Sequence, residues 1–123
     1  MVRVLVVDDH PAFREALLSA LELVEEIEVA GEAAGGIDAC REAEDRSPDV
    51  VLMDLAMPDL SGLDAMQRIH ARDPALPVVI LTANADPAVE AEARRAGASG
   101  FLAKGTTLDD IVIVLHEAAE QPA

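Results

Sequence analysis

Three aspartates, Asp8, Asp9 and Asp54, each follow an apolar run, and the only lysine of the chain, Lys104, lies downstream of all of them. Carboxylates crowded together repel one another, and loss of water disfavours their charged form unless a cation compensates. Mg2+ suits that role, because it is hard, seeks oxygen, keeps several waters and uses one or two carboxylates together with phosphate oxygens. With the charge balanced in this way, Asp54 could attack phosphorus and form an acyl phosphate, a covalent form of catalysis. The Lys104 ammonium would pair as a point charge with one phosphoryl oxygen, and the hydroxyl of Thr82 would donate to another. These residue types predict a phosphoryl-transfer site.

The elements that must position them are legible as apolar runs. Val2–Val7 precedes Asp8 and Asp9, Val50–Met53 precedes Asp54, and Val78–Leu81 precedes Thr82, each reading as a buried parallel strand. In an open parallel sheet the residues just past the strand ends line one crevice, so acids and a hydroxyl placed there can meet. Strand and helix signals alternate five times, which predicts an α/β doubly wound parallel sheet. A strand near Ile27 to Glu32 mixes apolar and acidic residues, as suits an edge. The last strand, Ser99 to Ala103, delivers Phe101 and Lys104.

Between the strands, the first helix opens at Pro11 and carries Phe13, Leu17, Ala20, Leu21 and Val24 on one face. The second follows Gly35 and Gly36 and stops before Pro48, with Cys40 in its core face. Ser61 and Asp64 form a capping-box-like start for the third, which buries Leu63, Met66 and Ile69. The fourth has Asp86 as N-cap, Pro87 at its first position and Gly97 past its end, but its apolar residues are mostly alanines. Alanines bury little area, so this helix is expected to be loosely held. The fifth starts at Thr107 with Asp110 and has a core stripe of Leu108, Ile111, Val112, Leu115 and Ala119. Ile113 and Val114 fall outside that stripe, as a wide buried face, incidental exposure or a partner-binding patch.

At 123 residues and with no linker-like interior, the chain is expected to be one domain over residues 1–119, with 120–123 beginning a linker. A formal charge of −15 disfavours nucleic acid and anionic membranes, so a DNA-reading module would have to lie outside these residues. Two phenylalanines, with no tryptophan or tyrosine, leave no stacking platform for single strands. Met1 leads straight into a strand and no apolar run reaches membrane-span length, so the expected location is cytoplasmic. A single cysteine excludes an intrachain disulfide and a multi-cysteine metal site.

The motifs Val-Val-Asp8-Asp9-His10-Pro11, Met53-Asp54-Leu-Ala-Met-Pro58, Leu81-Thr82-Ala83, Ala96-Gly97-Ala98 and Phe101-Leu-Ala-Lys104 together resemble the receiver domain of bacterial two-component response regulators. The Asp-Asp-His-Pro opening and the Gly-Ala-Ser-Gly-Phe-Leu-Ala-Lys segment are most similar to the NarL/FixJ (LuxR-type) subfamily, whose members usually carry a C-terminal helix-turn-helix domain. The resemblance implies a flavodoxin-like (βα)5 fold with strand order 2-1-3-4-5. It implies Asp54 as phospho-acceptor, Asp9 and Asp54 as direct Mg2+ ligands, Asp8 acting mostly through water, and the backbone carbonyl of Ala56 as a further ligand. Thr82 and Phe101 match the switch pair of the family. The implied partner is a sensor histidine kinase, and the implied output surface is the fourth helix, fifth strand and fifth helix, with a possible homodimer there or through Ile113 and Val114. Such a domain catalyses only its own phosphorylation and dephosphorylation.

The chain departs from the commonest pattern at several positions. Gly105 follows Lys104 where many receivers have a cis proline, and Phe101 lacks the hydroxyl of a tyrosine. Ala56 and Asn84 occupy the two positions that help set acyl-phosphate lifetime, and an alanine there can orient little water, which predicts slow autodephosphorylation. His70 and His116 read as surface residues, and His10 as a helix-start residue beside the acidic pocket. A cobalamin-type Asp-x-His-x-x-Gly signature fails at Phe13, a flavin phosphate loop is incompatible with Asp8-Asp9, and the Asp-x-Asp of haloacid-dehalogenase-type phosphatases is absent. The remaining rival is a phosphorylation-independent receiver used for dimerisation or docking.

Overall fold

A computed structural model describes residues 1–120. Five strands, β1 (Val2–Val7), β2 (Ile27–Ala33), β3 (Val50–Met53), β4 (Val78–Thr82) and β5 (Gly100–Ala103), alternate with five helices, α1 (Pro11–Glu22), α2 (Gly36–Arg46), α3 (Gly62–Arg72), α4 (Pro87–Arg95) and α5 (Leu108–Glu120). The strands form one parallel sheet in the order β2-β1-β3-β4-β5. This is the flavodoxin-like doubly wound arrangement, and β2 is the expected edge.

Side chains alternate across a strand, so each central strand feeds two cores. Leu5, Val7, Val51, Met53, Val78 and Ile80 pack beneath α2, α3 and α4 with Ala39, Ala65, Met66, Ile69 and Ala93. Val4, Val6, Val50, Leu52, Val79 and Leu81 pack on the opposite face against Leu17, Leu18 and Leu21 of α1 and Ile111, Leu115 and Ala118 of α5. Burial on both faces explains why these strands read as unbroken apolar runs. Full burial of such side chains stabilises the fold by about 1.5–3 kcal/mol each. Helix α4 contributes only Ala93 to the buried set, as its alanine-rich sequence anticipates.

The caps follow the sequence. Ser61 Oγ accepts from the Asp64 N–H at 3.2 Å, Asp86 Oδ1 from Val89 at 3.0 Å, and Thr107 Oγ1 from Asp110 at 3.3 Å. Gly97, just past α4, adopts φ +118°, a left-handed conformation that favours glycine.

Several helix faces differ from expectation. Leu18 is buried although the α1 stripe omitted it, Leu63 is half-buried, and in α5 Ala118 replaces Ala119 as the buried residue. Ile111, Leu115 and Ala118 are spaced i, i+4, i+7, whereas Ala119 lies one residue further round the helix. Ile113 is exposed, but Val114 packs against the α5 core because Gly100 has no side chain: a Cβ there would lie 3.0 Å from Val114 Cγ1. Ile37 is exposed and Cys40 only half-buried, its thiol pKa pushed up by burial. His70 is not a free surface residue: it is half-buried, with Nε2 2.9 Å from the Leu76 carbonyl oxygen. Among the described residues no helix is long and apolar enough to cross a membrane. Glu120 completes α5, and the remaining expected linker positions, 121–123, lie outside the described residues.

Candidate functional site

Strand register brings the acids together. Val7 pairs with Met53, so Asp8 and Asp54 leave neighbouring strands side by side, and the Asp54 N–H donates to the Val7 carbonyl at 3.0 Å. The chain order of the sheet reverses between β1 and β3, which is where the switch-point rule places a ligand. Thr82 pairs with Ala103, and the next residue, Lys104, donates its N–H to the Thr82 carbonyl at 3.0 Å. All four residues therefore emerge at one rim of the sheet.

Lys104 Nζ reaches back across that rim to Asp8 Oδ2 at 2.8 Å and Asp54 Oδ2 at 3.0 Å. Asp8 and Asp54 are each 3% exposed, so these are charge-assisted bonds in a largely dry setting, stronger than the same pair in water. Burial of Lys104 works against its charge, but the bonds to Asp8 and Asp54 outweigh it and its pKa is raised. The ammonium also lies 4.6 Å from the centre of the Phe13 ring, a cation–π contact from α1. Arg14 Nη1 donates to the Asp8 carbonyl at 2.6 Å and fixes the turn after β1.

Asp9 faces the same space. Its Oδ1 is buried and has no hydrogen-bond partner among the described residues. One ligand atom from each of Asp8, Asp9, His10 and Asp54 can be chosen so that all lie within 4.8 Å of one another, a cluster able to hold a metal ion. A buried carboxylate oxygen that accepts no hydrogen bond, beside other oxygen donors, is the environment a hard divalent cation satisfies.

The sequence placed His10 only beside this cluster, yet its Nδ1 lies 3.2 Å from Asp8 Oδ1, 3.3 Å from Asp9 Oδ1 and 3.9 Å from Asp54 Oδ2. The signal was Pro11: a residue before proline is held extended, and His10 at φ −90°, ψ 104° turns its exposed ring over the pocket. Phe13 and Arg14 were missed because their roles depend on where α1 docks.

The remaining expected residues are distributed as follows. Thr82 is buried, and its Oγ1 accepts the Asn84 N–H at 3.2 Å. Phe101 is half-buried and packs against the core beneath α4. Ala56 is exposed in the loop between β3 and α3. That loop is braced by Gly62, whose N–H donates to the Leu55 carbonyl at 2.8 Å and whose missing Cβ would collide with the Asp54 carbonyl oxygen.

A doubly wound sheet with paired acids at its switch point and a lysine just past β5 defines the receivers of two-component signalling, and the chain belongs to that family: residues 4–116 match the response regulator receiver domain. The transcriptional regulatory protein LnrK of Bacillus subtilis is 39% identical over 112 residues, covering 91% of this chain and 51% of LnrK. The receiver-domain structure of the response regulator NarL from Mycobacterium tuberculosis superposes with a TM-score of 0.91 at 36% identity, covering 97% of this chain and 96% of that one. A LuxR-family two-component response regulator from Aurantimonas sp. SI85-9A1 gives a TM-score of 0.92 at 32% identity, over 98% and 86%. The NarL/FixJ affinity read from the motifs agrees with these relatives. The chain spans about half the length of the curated relatives it matches.

Proposed function

We propose that this domain is a phosphorylation-activated switch in which Asp54 accepts a phosphoryl group from a sensor histidine kinase or a small acyl phosphate. The observation that carries the reading is the buried Asp54 carboxylate held 3.0 Å from Lys104 Nζ, beside an Asp9 Oδ1 that accepts no hydrogen bond among the described residues. An Asp54 carboxylate oxygen attacks phosphorus, the bond from phosphorus to the donor's nitrogen or oxygen breaks, and the leaving group takes the electron pair. Asp9 and Asp54, with the Ala56 carbonyl and with Asp8 acting mostly through water, would hold Mg2+. Bound there, the ion supplies positive charge against the crowded carboxylates and the phosphoryl oxygens.

Lys104 transfers its contact from the Asp54 carboxylate to a phosphoryl oxygen, so its position is prepared before the reaction. Thr82 has an O–H free to donate, since its oxygen serves as an acceptor for Asn84. Its movement toward the phosphoryl group would open space for Phe101 to turn inward, and the weakly anchored α4 would follow. The readout is then a population shift of the α4-β5-α5 surface, biased by contacts available only when phosphate is present. Ile113, exposed on α5, is available to a second copy; Val114, packed on Gly100, serves the core first.

Transcription is the proposed output, supported by the LnrK and LuxR-family relatives. With a charge of −15, this domain would leave DNA contact to another part of the protein. Incubation with acetyl phosphate and Mg2+ tests the reading. We expect a phosphoryl mass increment that hydroxylamine removes and Asp54→Asn abolishes; no increment would favour a phosphorylation-independent docking module.

A further inference from the structure

Asp59 is a fourth acid near the site, and its side chain is fully committed elsewhere. It lies in the loop between β3 and α3, five residues beyond Asp54. Its Oδ1 accepts the Gly36 N–H at 3.0 Å and the Leu60 N–H at 2.8 Å, and its Oδ2 accepts the Ile37 N–H at 3.1 Å. Gly36 and Ile37 are the first two residues of α2, whose own N-cap, Gly35, offers no side-chain cap. Asp59 therefore caps a helix to which it does not belong, placing a carboxylate where the orphan N–H groups and the helix dipole favour one.

The approach is close. A Cβ on Gly35 would lie 2.9 Å from Asp59 Oδ1, and one on Gly36 would lie 2.7 Å from Leu60 Cβ, so both glycines leave room for the loop. The other end of the loop is fixed at α3, through the bond from Gly62 to the Leu55 carbonyl. Ala56, Met57 and Pro58 are the short span between these two anchors.

We propose that Asp59 is a positioning residue: by tying the loop to the N-terminus of α2, it sets where the Ala56 carbonyl lies and so tunes the affinity of the acidic pocket for its cation. This rests on the proposed role of Ala56 as a metal ligand. Bonds from Ile37 first and Gly36 second lower the Asp59 pKa, so the tether stays charged at neutral pH. Asp59 is exposed, and it acts by geometry rather than as a buried charge.

Calorimetric Mg2+ titration of the chain and three variants tests the proposal without any phosphorylation step. Loss of groups that orient metal ligands typically weakens affinity by about 10- to 100-fold, and for Asp59→Ala we expect the low end, about tenfold. Asp59→Asn keeps one oxygen acceptor at the helix end and should fall between the unsubstituted chain and Asp59→Ala. Asp64→Ala, which removes an exposed acid from the first turn of α3, should bind as the unsubstituted chain does. Wild-type affinity in Asp59→Ala would overturn the proposal, as would equal losses in all three variants, which would reduce the effect to net charge. If Asp59→Ala does not fold, unchanged affinity in Asp59→Asn overturns it alone. Absence of Mg2+ binding in the unsubstituted chain would instead defeat the reading of the site, and the tether with it.

Discussion

Replacing Lys104 by methionine removes one charge and little volume, and it isolates what the ammonium does for the acidic pocket. At 2.8 Å from Asp8 and 3.0 Å from Asp54, the gross Coulomb attraction is about 6 and about 5.5 kcal/mol at an effective dielectric of about 20. Desolvation of three largely buried groups offsets most of this, and breaking one side of a buried pair costs about 3–5 kcal/mol overall. The pocket lies at the sheet rim, where water can enter, so we expect Lys104→Met to lose about 2–4 kcal/mol in urea unfolding without Mg2+. A bound cation replaces the missing charge, and at a hundredfold excess over its Kd it returns about 2.7 kcal/mol. Urea curves for both proteins, with and without Mg2+, measure each quantity. The reasoning is refuted if Lys104→Met is as stable as the parent without Mg2+, or if Mg2+ stabilises the parent but not the variant.

Other perturbations follow from the same structure. Ala56→Asn supplies a side chain able to orient an attacking water and should shorten the acyl-phosphate lifetime, measured by loss of the phosphoryl mass increment; an unchanged decay would contradict the assignment. The Asp59 pKa is lowered by folding, so its contribution to stability is present above the ordinary aspartate value, near 3.9, and is lost as pH falls through the lower folded value. Asp59→Asn should accordingly show a shallower acid limb below about pH 4 in unfolding titrations. Gly62→Ala places a methyl against the Asp54 carbonyl and within 2.9 Å of Leu55 Cα, and overpacking of that kind costs about 1–3 kcal/mol by thermal unfolding. An equally stable Gly62→Ala protein would show that the loop yields.

The parts of the site legible in the sequence are those fixed by strand ends. Val4–Val7, Val50–Met53 and Val78–Leu81 are buried on both faces and so spell themselves as apolar runs; the acids and hydroxyl that follow must share a rim in a parallel sheet. Lys104 was legible by the same logic through β5. Contacts made across helices were not. The Phe13 ring over Lys104 depends on the docking of α1, and Asp59 capping α2 depends on a loop path with no local signature. Val114 was left open between burial and exposure, because helical spacing alone cannot know that Gly100 leaves room on the neighbouring strand. Cys40 shows the same limit: a weakly apolar helix such as α2 can rotate by a fraction of a turn without changing its pattern.

We propose that Asp54 carries the phosphoryl group, that Asp9, Asp54 and the Ala56 carbonyl would hold the cation, and that Lys104, now 3.0 Å from the Asp54 carboxylate, would pair with a phosphoryl oxygen. A crystal structure with Mg2+ and beryllofluoride, a stable phosphoryl mimic, tests it most directly. The account predicts beryllium bonded to an Asp54 carboxylate oxygen and Lys104 Nζ moved from that carboxylate onto a fluorine. Beryllofluoride bound elsewhere, or an Asp54–Lys104 pair left intact beside it, would contradict the account.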